Sequence, residues 1–219
     1  MTGTRSLIMA ALGALALLAG AGTARAAPPP PPSGPLKDWP CAPLPETAAL
    51  TPEALYGKPL PAPLPSADAW RADPEVKTLV NFAAGSENTA GAGVQQIELF
   101  AASAGPRKRE RLLLAFSGIV ERIEALRAVL IEGVGHQVVN SRLVAAEIAR
   151  NDQDIQTLAG DGTPAAVKRR QDVEQARFWN RRSLGDVWDK ADFTCRQLDH
   201  AGKKAAALAA AIRLAIEGP

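Results

Sequence analysis

From Pro106 to Leu158 the apolar positions recur at helical spacing. Leu112, Phe116, Ile119, Ile123, Leu126 and Leu130 follow one another in steps of four, three, four, three and four. Those steps set the six side chains on one stripe of one helix. No proline interrupts the stretch after Pro106. Beyond Leu130 the stripe resumes at Val134, Val138, Ser141, Ala145 and Ile148 in steps of three and four, and it drifts around the helix where steps of four run together. Gly133 and Gly135 stand at that change of register. No polar turn cluster accompanies them, so they predict a kink within one helix rather than a turn.

A second stripe runs near the C-terminus through Leu184, Trp188, Ala191, Cys195, Leu198, Gly202, Ala205, Ala209, Ile212 and Ile216. Its small members, Gly202, Ala205 and Ala209, allow a partner helix to come close. Between the two stripes lies Ala159-Gly160-Asp161-Gly162-Thr163-Pro164. Two glycines stop one helix, Thr163 caps the next, and Pro164 takes its first position. Shorter helices precede the pair. Thr51-Pro52-Glu53 reads as cap, first helical position and acidic first turn, with Gly57 as the stop. Asp73-Pro74-Glu75 repeats that logic up to about Ala84. Val94, Ile97 and Phe100 mark another helix, ending near Ala104-Gly105. No alternating strand pattern of any length occurs. The predicted fold is all-α: a long antiparallel, coiled-coil-like helical hairpin, shorter N-terminal helices, and an extended Pro-rich N-terminal strap.

The region before the helices has a different character. Arg5, the apolar run Leu7–Leu18 and the small-x-small triplet Ala24-Arg25-Ala26 have the three-part plan of a secretory signal peptide, with cleavage after Ala26. The apolar run is shorter than the ~20 residues of a membrane span, so no integral segment is expected after cleavage. Fourteen of the eighteen prolines fall between residues 27 and 65. Residues 27–37 are a proline-rich spacer that can form polyproline II but no sheet interior or helix. Residues 38–70 read as a strap anchored by Trp39 and Trp70 on a helical domain of residues 71–219.

Export changes the charge argument. The signal carries Arg5 and Arg25 and no acid, so the mature chain has 25 − 2 = 23 basic residues against 23 acidic ones. A balanced chain does not point to nucleic acid as a partner, because phosphate binding needs a basic excess. The two cysteines, Cys41 and Cys195, lie far apart and form no C-x-x-C motif. In an exported chain they are expected to pair as a structural disulfide.

No residue pattern supports catalysis, and no cofactor or metal is expected. Asp186, Asp189, Asp192, Asp199 and His200 lie on one helix, where Arg182, Lys190 and Arg196 make a solvated face the simpler reading. Asn151-Asp152-Gln153-Asp154 starts like a calcium loop but lacks its glycine. His136 beside the glycines reads as structural or exposed. The hairpin tip, residues 150–182, is the best functional candidate. Phe178 and Trp179 stand side by side among Arg177, Arg181 and Arg182, a composition typical of binding hot spots. Two readings of the rings stay open: they meet a partner, or they cover the hairpin's own seam.

The Asp38-Trp39-Pro40-Cys41 motif after a signal-like segment, with a later aspartate-bearing helical stretch ending at Cys195, resembles a group of small uncharacterised exported proteins of alphaproteobacteria. That resemblance implies a periplasmic, Gram-negative setting and a paired cysteine, and it brings no activity. The expected function is a periplasmic interaction module, an adaptor or chaperone-like accessory, with a protein partner in the envelope and room for a homodimer. The alternative is a small-ligand or metal binder with its site between helices near Gly133 and Gly135.

Overall fold

The computed structural model describes residues 40–41, 49–66 and 68–218. The expected signal segment with its expected cleavage at Ala26, the proline-rich residues 27–37 and Trp39 lie outside the described residues. Five α-helices follow in order: α1 Pro52–Tyr56, α2 Pro74–Ala84, α3 Ala90–Ser103, α4 Lys108–Leu158 and α5 Pro164–Glu217. No strand occurs among the described residues. The chain is all-α, and its two long helices form the antiparallel hairpin.

The caps at Thr51, Asp73 and Thr163 are where the sequence puts them, and α3 has one at Thr89 outside the sequence expectation. Thr51, Asp73, Thr89 and Thr163 each accept a backbone N–H of the helix they open. Gly57 ends α1 with a left-handed φ of 75°, a conformation that costs glycine nothing. α4 opens differently from the expectation. Pro106 sits in a 3₁₀ turn, Gly105–Arg107, and the α-helix begins at Lys108 without a side-chain cap. At 51 residues α4 is continuous through Gly133 and Gly135, and its length is about 75 Å.

The first α4 stripe is the heart of the core. Leu112, Phe116, Ile119 and Ile123 are buried against Leu208, Ala209 and Ile212 of α5, with Val76, Leu79 and Val80 of α2 and Ile97 and Phe100 of α3 closing over them. Each such side chain contributes about 1.5–3 kcal/mol on burial. Tyr56 of α1 and Trp70 belong to the same core. Trp70 therefore anchors the segment before α2, as its sequence context suggests. Its indole lies over Gly118, where a Cβ would come within 2.7 Å of Cδ2. Its Nε1–H donates to Glu121 Oε2 at 2.8 Å, and the Arg71 guanidinium stacks on its ring at 4.4 Å.

The α5 stripe is corrected at one point. Trp188 is 37 % exposed, and Val187 takes the buried place between Leu184 and Ala191. Steps of three and four bracket the 3.6-residue turn, and packing here buries the residue three positions on from Leu184. Ala145 of α4 is likewise exposed.

The segment before α2 is held by polar contacts as well as by its rings. Arg109 Nη2 donates to the Pro61 carbonyl at 2.8 Å, Arg213 Nη1 to the Tyr56 carbonyl at 2.9 Å, and Leu50 N to Glu124 Oε2 at 3.1 Å. Arg111 lies across Phe100 and grips Asp73 with two donors, at 2.8 and 2.9 Å. That guanidinium, with the backbone N–H groups of α2, holds the Asp73 carboxyl below its ordinary range.

Two outcomes follow for the base. Gly118→Ala should lower unfolding stability by about 1–3 kcal/mol in urea, because the methyl displaces Trp70. An unobstructed helical site would instead gain up to ~1 kcal/mol from the same change. The Asp73 contribution has a definite sign with pH. A depressed folded pKa means the contribution is complete above the unfolded value near ~3.9 and is lost as pH falls through the lower folded value. Asp73→Asn should therefore lower stability at neutral pH and flatten its fall below about pH 4, as read by urea melts across that range.

Candidate functional site

Moving from the base toward the tip, the hairpin core thins. A second, smaller cluster holds Val134, Val138 and Leu198, with Leu130, Ile131 and Cys195 partly buried beside it. Cys41 belongs to this cluster. Its sulfur lies 2.07 Å from that of Cys195, with the Cα atoms 5.2 Å apart. The disulfide ties the N-terminal segment to α5 partway along the hairpin. Farther out the seam is lined by small or polar groups. Ser141 is buried and donates its hydroxyl to the Val138 carbonyl at 2.8 Å, and Val187, Ala191 and Ala166 are the buried residues of α5 on the tip side of the disulfide.

At the tip the helices are joined by charge. Asp152 of α4 accepts from Arg177 at 2.8 Å and pairs with Arg181 at 3.8 Å. These two arginines were candidates for partner contact, and the fold gives them a role across the hairpin. Arg182 is exposed and forms no ion pair among the described residues. Thr163 accepts from Ala166 N at 3.3 Å and Asp161 Oδ1 from Thr163 N at 2.9 Å, which fixes the turn.

Phe178 and Trp179 are 59 % and 53 % exposed. Their rings meet edge to face with centroids 5.2 Å apart. They touch each other, and with more than half of each residue exposed they are not buried in the seam. Phe193, on the same helix, is 56 % exposed. It lies outside the apolar series of α5, so a search for core periodicity passes over it. An aromatic residue off the buried stripe was the available signal.

The other candidates resolve into surface chemistry. Asp192 pairs with Arg196, and Asp199 with Lys203 at 2.7 Å, both one helical turn apart. Among the described residues no three His, Cys, Asp or Glu side chains converge as a metal site. His136 is exposed and lies 3.6 Å from Glu132. A Cβ built on Gly133 would sit 3.9 Å from Thr194 of α5, ordinary contact between packed helices. A depression of about 410 Å³ between the α2–α3 loop, α4 and α5 is bordered by Lys204. That amine is already spent on the Gly85 and Asn88 carbonyls at 2.5 and 2.8 Å, and burial lowers its pKa.

No helix among the described residues is long and apolar enough to cross a membrane. Removing the disulfide by Cys41→Ala with Cys195→Ala should lower stability by about 4–5 kcal/mol in the chain-entropy model, given the long loop it closes. The check is a urea melt of the oxidised wild type beside the double variant. Compared with protein-family models, curated proteins and solved structures, the chain matches none.

Proposed function

We propose that this protein is an exported helical interaction module, an adaptor or chaperone-like accessory of the Gram-negative envelope, that presents the outer side of its hairpin arm to a protein. The exposure of Phe178 and Trp179 carries the reading. Two adjacent rings stand in solvent on an arm braced by Asp152, Arg177 and Arg181, with Arg182, which has no ion pair among the described residues, beside them. Aromatic and arginine side chains on a pre-organised helix lose little freedom on binding, and they dominate interface energetics. The Cys41–Cys195 bond fits an oxidising compartment, and the signal-like N-terminus fits export to the periplasm.

The test uses the mature, oxidised chain as bait for envelope extract. Phe178→Ala with Trp179→Ala should leave the circular dichroism and thermal melt unchanged, since neither ring is in the core. It should abolish capture of any partner held by the wild type. A double variant that unfolds would make the rings structural and remove this reading.

A further inference from the structure

The outer side of α5 carries a second series, turned away from α4. Phe178, Arg182, Gly185, Asp186, Asp189 and Phe193 follow in steps of four, three, one, three and four. All six are exposed. At about 100° per residue they share one sector of the helix, roughly opposite the buried Val187, Ala191 and Leu198.

The series is a palindrome in position and complementary in chemistry. Phe178 and Phe193 stand at equal distances on either side of the Gly185–Asp186 peptide, and so do Arg182 and Asp189. An identical helix laid antiparallel, with the two-fold axis at that peptide, sets Phe178 against Phe193 of the second copy and Arg182 against its Asp189. Symmetry then makes each contact twice, as an isologous interface requires.

Three observations favour this occupant. Arg182 and Asp189 form no ion pair among the described residues, although their neighbours Arg181, Asp192 and Arg196 do. Gly185 stands at the crossing point, where two backbones come closest. A Cβ there would meet nothing within 4 Å, so packing within one chain does not require a glycine. The two phenylalanines lie about 22 Å apart along the axis and are the exposed rings that the palindrome pairs.

We propose that two copies of this protein associate through α5, antiparallel and two-fold symmetric about the Gly185–Asp186 peptide. The inference rests on the reading of the arm as an interaction element and names what it meets. Trp179, one step around the helix, flanks the phenylalanine pair.

Sedimentation velocity on the mature, oxidised chain over a wide micromolar range should show a monomer–dimer equilibrium. Arg182→Asp and Asp189→Arg, each alone, should keep their circular dichroism and weaken dimerisation by about tenfold or more, since each sets like charges together twice. Mixing the two variants should restore a dimer, because every 182–189 pair is then of opposite sign. The double variant should also self-associate. A wild type that stays monomeric, a dimer indifferent to both single changes, or variants that do not recover on mixing would each overturn the proposal. If the chain is monomeric yet an envelope protein is captured and lost with Phe178→Ala/Trp179→Ala, self-pairing fails and the arm reading stands. If neither association is seen, both fail.

Discussion

Burial of one α4 stripe against one α5 stripe is the constraint on which the other parts depend. Helices of 51 and 54 residues gain little from propensity alone, since helical stability in proteins comes mostly from packing an apolar face. Here that face is supplied at the base by Leu112, Phe116, Ile119 and Ile123 on one side and Leu208 and Ile212 on the other. α2, α3 and the Tyr56 and Trp70 anchors seal it. The close contacts over Gly93 and Gly118 show how tight the seal is, since a Cβ at either would come within 2.7 Å of a neighbouring side chain.

Away from the base the same two helices are held by less. The disulfide cluster stands partway along, and beyond it small side chains and the Asp152 ion pairs replace large apolar ones. Exposed ion pairs contribute little to stability. Their use at the tip is geometric: they fix the helices in register and leave the outer side of α5 free. The division of labour is physical. A dense base supplies stability, and a thin arm supplies reach and surface.

Much of this was legible in the residues. The four–three spacing of the first stripe, the Gly-rich turn before Pro164 and the Asp73 and Thr51 caps are local signals, and local signals survive translation into structure. So did Trp70, a large apolar ring in a polar segment. The N-terminal role of Tyr56 was not legible, because burial of a lone tyrosine depends on where α5 ends up. The Trp188 error has a similar origin: between Leu184 and Ala191, steps of three and four differ only slightly, and packing chooses. Arg177 and Arg181 looked identical to Arg182 in the sequence. Only the facing Asp152, contributed by the other helix, separates the braces from the free side chain.

Hydrogen exchange on dilute, oxidised protein tests the central claim directly. Local opening costs more where buried apolar contact is dense. The account predicts the slowest exchange at the base, around Ile119 and Leu208, with protection falling steadily through the disulfide cluster toward the tip at Asp152 and Arg177. Uniform protection along both long helices would contradict it, since the arm would then be held by something other than this thinning seam.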